Sequence, residues 1–328
     1  MTAAAPPAMP VPPESPAPGP TSGPSVGTAP TGAPVVGEGK ASDEPPPLAP
    51  GSEVAPGYTV LEHLRRGEDF DAYEAWSSAR YSRCFVKTPR PDRADRASVR
   101  RSLVREGRLL LAACHPHLVR AYALHAPRGA APALVLEALP GPSLKDVLAE
   151  HGRLPVTTLG HLAVHLCSAT RYLHDRGHLH LDIKPSNVVI SGGVARLVDL
   201  GLSRSPGPCR AGVGTARSMA PEQARGELLG AATDVWGIGL VLYEAATGHR
   251  PFGDGDDAWT CSCGDAECDW REPRYPQLER RAPRVRARRR LPVEAATVID
   301  ACLAPRPADR PSLDVVDVAL AGLLGPAR

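Results

Sequence analysis

From Tyr58 onward, apolar and polar positions alternate in short runs: Tyr58–Leu64, Ala72–Trp76 and Cys84–Lys87, each bounded by Gly, Pro or charged residues. A two-residue period with such punctuation predicts β-strands. The rhythm changes over Arg96–Ala113, where Val99, Leu103, Leu110 and Leu111 recur at helical spacing. Two further strand-like runs follow, Leu118–Leu124 and Ala133–Leu139. Beyond Gly141 the longer segments read as helices: Ser143–Glu150, Thr157–Arg176, Ala231–Thr247, Pro292–Ala304 and Ser312–Leu324. A β-rich front and an α-rich back predict an α+β fold of two lobes, with the crossover near Glu137-Ala138-Leu139. No internal repeat is visible.

Composition changes the picture at the front of the chain. Residues 1–56 hold 16 of the 37 prolines, with almost no aromatic or large aliphatic side chain. Such a segment cannot bury enough apolar surface to offset its ordering entropy. The expected organisation is therefore a disordered Pro/Ala/Gly-rich tail over 1–56 and one domain over 57–328, with lobes at 57–137 and 140–328. A net charge of +2 argues against nucleic acid or a membrane surface as partner. No apolar run approaches membrane-helix length, and the N-terminus lacks the basic start and apolar core of a secretory signal. The eight cysteines are scattered apart from one cluster, which fits a reducing compartment, so a cytoplasmic location is expected. Only four lysines occur, Lys40, Lys87, Lys145 and Lys184, among 38 basic residues. A compact ammonium kept against a background of arginine suggests a specific use, and two of the four fall in the motifs below.

The chemistry concentrates in His180-Leu181-Asp182-Ile183-Lys184-Pro185-Ser186-Asn187, followed twelve residues after Asn187 by Asp199-Leu200-Gly201. Two carboxylates, an amide and an ammonium at these offsets suit phosphoryl transfer, which depends on positioning and charge neutralisation more than on covalent chemistry. The first segment resembles the catalytic loop of the eukaryotic-like protein kinases, H-R-D-x-K-P-x-N, and the second their D-F-G element with Leu for Phe. The chain is thereby identified as similar to bacterial eukaryotic-like serine/threonine kinases from about Tyr58 onward. The resemblance implies ATP and Mg²⁺ as cofactors and a protein Ser or Thr as substrate. By it, Asp182 orients the hydroxyl nucleophile, Lys184 sits beside the γ-phosphate, and Asn187 and Asp199 hold Mg²⁺. Cys84-Phe85-Val86-Lys87 falls where the family has V-A-I-K, so Lys87 would pair the phosphates with Glu106 as its partner. Gly67, Ala72, Phe85, Glu137 and Leu139 would surround the nucleotide. Gly214-Thr215 resembles the substrate-docking Gly-Thr, and Ala220-Pro221-Glu222, Asp234 and Arg310 match structural positions, Arg310 pairing with Glu222.

Three departures stand out. The pattern G-x-G-x-x-G-x-V falls on residues 65–72, Arg-Arg-Gly-Glu-Asp-Phe-Asp-Ala, and keeps one glycine of three. Glycine lets backbone close over phosphates without a Cβ; here Arg65 and Arg66 offer side-chain contacts, while Glu68, Asp69 and Asp71 would repel phosphate. Around the adenine, Ala72 replaces Val and Phe85 replaces Ala, either a compensating exchange of volume or a blocked slot. Leu181 replaces the catalytic-loop Arg that docks a phosphorylated activation segment, which predicts activity independent of that phosphorylation. The leading expectation is a serine/threonine kinase; the alternative is a pseudokinase scaffold that binds nucleotide weakly or not at all.

Two other features carry weaker readings. Cys261, Cys263 and Cys268 are close enough for a Zn²⁺ site, for free surface thiols or for redox pairing, though the Cys-x-Cys spacing departs from the usual Cys-x₂-Cys of zinc sites. The run 280–290 holds seven arginines and reads as a solvated surface, or else as a dock for acidic substrates or nucleic acid. Oligomeric state is not encoded in any of these patterns.

Overall fold

The computed structural model describes residues 44–253 and 275–324. The first lobe is a six-stranded antiparallel sheet with the spatial order β1-β2-β3-β4-β6-β5. Its strands are β1 Glu53–Ala55, β2 Tyr58–Arg66, β3 Phe70–Ser77, β4 Ser82–Pro89, β5 Ala121–His125 and β6 Ala133–Glu137. One helix, α1 Ala97–Ala112, lies between β4 and β5 in sequence. The period-two alternation is visible in burial: in β3, Asp71, Tyr73, Ala75 and Ser77 are buried while the residues between them are partly or fully exposed.

The second lobe contains α2 Leu144–His151, α3 Val156–His174, β7 Val188–Ser191, β8 Val194–Leu197, β9 Gly207–Pro208, α4 Pro221–Arg225 and β10 Leu228–Leu229. It continues with α5 Ala231–Thr247, α6 Pro276–Glu279, α7 Val293–Cys302 and α8 Leu313–Ala321. Helix α5 is apolar on nearly every side and correspondingly buried against α3 and α7, as a helix without a polar face must be. Helix α2 starts with a capping box: Ser143 Oγ accepts from Asp146 N–H at 3.2 Å and Asp146 accepts from Ser143 N–H at 3.2 Å. The core runs from Leu103 and Leu110 of α1 through Leu134 and Leu136 to α3, α5, α7 and α8.

The structure moves two expected boundaries. Residues 44–56, read with the tail from composition, are folded: β1 pairs with β2, and Ala55 is buried in a cluster with Tyr58, Ala75 and Val135. Leu48 N–H donates to Tyr73 Oη at 3.0 Å, and Glu44 lies 2.7 Å from Arg90. Proline-rich chain can brace a sheet edge without forming a core of its own. Residues 1–43 lie outside the described residues. The second shift concerns Leu118–Leu124, expected as one strand. Only its end joins β5, because Val119 N–H donates to Leu197 O and Leu118 bridges Leu197 of β8, tying the first lobe to the second.

Candidate active site

Catalytic-loop geometry begins with a backbone that side chains hold in place. Leu181 has φ of 68°, a left-handed conformation unusual for a branched residue and costing on the order of 1–3 kcal/mol. Asp234, at the start of α5, accepts from the N–H of His180 at 2.8 Å and of Leu181 at 2.7 Å. His174 Nε2 lies 2.8 Å from the same carboxylate. Closer approach of α5 depends on Gly237, where a Cβ would come within 2.9 Å of Ile183 Cβ and 3.0 Å of its carbonyl.

This frame presents Asp182 to the cleft with three side-chain partners. Asn187 Nδ2 donates to Asp182 Oδ2 at 2.9 Å and to its backbone carbonyl at 2.9 Å. Lys184 Nζ is 2.7 Å from Oδ2 and also donates to Thr215 Oγ1, which in turn donates to Asp182 Oδ1 at 3.0 Å. The result is a closed set of one carboxylate, one ammonium, one hydroxyl and one amide. Asn187 uses its nitrogen here, so its carbonyl oxygen stays free to accept a cation.

A second charged cluster faces the first. Lys87 Nζ lies 3.0 Å from Glu106 Oε2 and 2.8 Å from Asp199 Oδ1. Glu106 is 1% exposed, placed on the buried face of α1 by the same periodicity that buries Leu103 and Leu110. Burial raises the Glu106 pKa, with the Lys87 charge opposing. Burial also works against the charged Lys87, but the Glu106 and Asp199 charges outweigh it and raise its pKa. Asp199 shows the opposite balance. Burial would push its carboxyl up, yet the Lys87 charge and hydrogen bond, with the Gly201 N–H, hold it down at about 2. Asp199 thus stays ionised at neutral pH. Gly201 is required by closeness: a Cβ there would meet Asp199 Oδ1 at 3.1 Å and Glu106 Oε2 at 3.5 Å. Leu200, in the place of the family Phe, is fully buried in the main core.

The segment from Leu202 to Glu222 is anchored largely by neutral contacts. Leu181 packs with Leu179 and Leu229, and Leu202 and Cys209 cover that cluster. Strand β9 pairs with β10. Gln223 Nε2 donates to Leu181 O at 3.0 Å and to Val213 O at 3.3 Å. Ser203 is 2% exposed and donates to Leu179 O at 2.7 Å, which makes it a structural hydroxyl. At the segment's end, Glu222 and Arg310 form a buried bidentate pair at 2.7 and 2.8 Å. Arg310 also donates to Ala232 O and Ala304 O.

On the nucleotide side, the structure corrects the expected charges of the β2–β3 hairpin. Arg66 does not reach toward phosphate. It forms two 2.8 Å hydrogen bonds to Asp71 and one to Pro45 O. Asp71 is fully buried behind the hairpin, with His63 at 3.1 Å and Tyr73 Oη at 3.4 Å. Burial would raise its pKa, but the hydrogen bonds of Arg66 and His63 lower it. Neither repulsion by Asp71 nor attraction by Arg66 acts in the cleft. Arg65 does line the open cleft in front of the catalytic loop, with Lys184 and Thr215. Gly67 N–H closes the hairpin on Phe70 O at 2.8 Å. Phe70 stands where the family's third glycine falls, and its ring lies 5.0 Å from Lys87 Nζ.

Ala72 pairs in register with Lys87, and Phe85, on the same face as Lys87, pairs with Leu136. Phe85 and Leu139 are partly buried against the core beneath the sheet. The Glu137 side chain is committed to Arg196 Nη1 and Arg120 N–H, both at 2.8 Å, so it is not directed at a nucleotide. Cys261, Cys263 and Cys268 lie outside the described residues, and no His/Cys/Asp/Glu group able to hold a metal is found among the described ones. Sequence reasoning missed Phe70, His174 and Gln223. For Phe70 the signal was present, since the aligned glycine pattern already placed it over the phosphates.

A β-sheet lobe whose lysine meets a helix glutamate, facing a loop aspartate held by lysine, asparagine and threonine, defines a protein kinase. The match is direct: the protein kinase domain family covers residues 58–318, and the chain belongs to it. Among curated proteins, it is similar to the serine/threonine-protein kinase PkaA of Streptomyces coelicolor, 34% identical over 238 residues. That alignment covers 70% of this chain and 41% of the relative. Serine/threonine-protein kinase PknB of Mycolicibacterium smegmatis is 34% identical over 178 residues, 51% of this chain and 28% of the relative. The Mycobacterium tuberculosis PknB is 33% identical over 178 residues, with the same coverage. The chain spans less than half the length of these curated relatives.

Proposed function

We propose that this chain transfers the γ-phosphate of ATP to serine or threonine hydroxyls of proteins. The observation that carries the reading is the network around Asp182. A substrate hydroxyl entering between Asp182 Oδ1 and Lys184 would take over the contact that Thr215 now makes, so its proton is directed at the carboxylate and its oxygen at the phosphate. Lys184 then balances charge on the transferring group, and Lys87, held by Glu106, neutralises the neighbouring phosphates. Two oxygens suit Mg²⁺: the Asn187 carbonyl and Asp199 Oδ2, which has no hydrogen-bond partner among the described residues. When bound, the ion supplies charge neutralisation across the phosphates. The test is incorporation of labelled phosphate from Mg-ATP by wild type and Asp182→Asn. Label in the wild type alone supports the reading; equal label in both would sink it.

Leu181 supports a second element of the proposal, activity without phosphorylation of the activation segment. An apolar side chain in the Leu179 and Leu229 cluster anchors the segment by packing instead of through a phosphate. Ser205 is the exposed hydroxyl between Leu202 and Gly214. Ser205→Ala should keep activity within about twofold, roughly 0.4 kcal/mol in the barrier; a larger loss in a peptide assay would reject the idea. A scaffold reading is favoured by one observation, the Phe70 ring over Lys87. Absence of any thermal shift with Mg-ATP would select it over the enzyme.

A further inference from the structure

Helix α1 carries a second feature that the proposed reaction does not use. Arg101, Arg105 and Arg108 follow one another at four- and three-residue spacing, which puts them on one face of the helix, all exposed. With Arg100 of the same helix and Arg204 of the activation segment, they rim a cleft of about 980 Å³. None of these five has a carboxylate within 4.0 Å among the described residues. Among the other described arginines, Arg66, Arg83, Arg90, Arg171, Arg196 and Arg310 each meet an acidic side chain, whereas Arg65, Arg80, Arg128, Arg153 and Arg176 meet none among the described residues. What marks the α1 row is its gathering on one face beside a cleft. Like charges at such spacing destabilise a helix, a cost that no acidic side chain among the described residues offsets. An apolar floor comes from the partly buried Val104 and Leu109 and the buried Pro132.

We propose that this cleft docks an acidic peptide segment of a partner protein, with Asp, Glu or phosphorylated side chains on the arginine rim and one apolar side chain on the floor. Arginine forks bind carboxylate and phosphate oxygens in pairs, and a partly desolvated cleft strengthens such contacts. The apolar floor argues for a peptide over nucleic acid, because His178 is the sole ring in the lining and no Phe, Tyr or Trp is there for successive bases to stack on. The site also sits next to the catalytic machinery. Arg105 Nη2 and Ser102 Oγ donate to Gly201 O at 3.1 and 3.4 Å, and Glu106 is the next residue on the helix. A segment bound there holds α1 against the Asp199-Leu200-Gly201 turn.

The test is fluorescence anisotropy of a labelled Asp/Glu-rich peptide carrying one central Leu, titrated with the full chain. Binding should weaken with rising salt. It should fall about tenfold or more in Arg101→Glu/Arg108→Glu, about 1.4 kcal/mol, and fall again when the peptide Leu becomes Ser. Melting of the variant alone shows that it remains folded. Equal affinity for a Lys-rich peptide, or no effect of the charge reversal, would overturn the proposal. So would displacement of the peptide by single-stranded DNA at matched charge. Peptide binding that appears only after phosphatase treatment or in Ser205→Ala would overturn it too, in favour of phosphorylated Ser205 of the same chain as occupant. Apart from the Ser205 arm, none of these readouts requires phosphoryl transfer, so they are independent of the activity proposed above.

Discussion

On the floor of the cleft, Asp182 has three side-chain partners, and the backbone beneath it is fixed by Asp234. On the roof, the β2–β3 hairpin pairs Arg66 with the buried Asp71 behind the hairpin, away from the cleft. The floor concentrates charge where phosphate and hydroxyl would meet. The roof neutralises its own charge and sets an aromatic ring over Lys87. Chemistry on the floor needs several groups in fixed mutual positions, so losing one disturbs all of them. A roof needs only to cover the nucleotide, and different residues can do that. Two of the three glycines of the family pattern are accordingly lost in the hairpin, while the catalytic loop keeps Asp182, Lys184 and Asn187 and gives up only its Arg, at Leu181.

The sharpest way to break this comparison is at Asp182. Its change to Asn should lower phosphoryl transfer by about 10²–10⁴-fold while nucleotide affinity stays within a factor of about two. A parallel loss of Mg-ATP binding by calorimetry would mean that floor and roof do not act separately. Next in size is Arg310→Ala, which leaves Glu222 buried and unpaired and should cost about 3–5 kcal/mol in urea unfolding. A cost below about 1 kcal/mol would show that solvent reaches this site.

For the roof, Phe70→Gly should tighten Mg-ATP binding by up to about tenfold, near 1.4 kcal/mol, if the ring obstructs the phosphates. Weaker binding would instead make the ring part of the nucleotide contact. The smallest expected effect lies under the floor. His165 and His117 stack at 4.0 Å and hold the two backbone groups of Ala195 in β8. Burial, with the nearby His117 and His161 charges, lowers the His165 pKa from 6.5 to about 4. Between those values the unfolded chain binds a proton that the folded chain does not, so stability falls as pH drops through that window. Melting should decrease by about 2–4 °C between neutral pH and pH near 5, and less in His165→Gln.

How far the sequence carries can be judged from particular residues. The strands and helices follow their periodicity, and Asp182, Lys184, Asn187 and Asp199 were identifiable because fixed offsets in one loop bring them to one place. Glu106 needed the helix register as well as the motif. Arg66 and Asp71 were misread since strand alternation, which turns Asp71 inward, was not applied to charged residues assumed to face phosphate. Residues 44–56 were misplaced for a different reason: composition measures whether a segment can fold alone, whereas these residues fold against an existing sheet. The arginine row on α1 was visible as letters, but its lack of acidic neighbours is a property of three-dimensional surroundings.

The brace formed by residues 44–52 has a practical consequence for where this domain ends. A truncation at residue 57 would retain the whole span matched by the kinase family and every motif in the cleft. It would still remove Glu44 from Arg90, Pro45 O from Arg66 and Leu48 N–H from Tyr73. Limited proteolysis ahead of β1 would then disturb the β2–β3 hairpin from a distance, with every residue of the proposed catalytic site left intact.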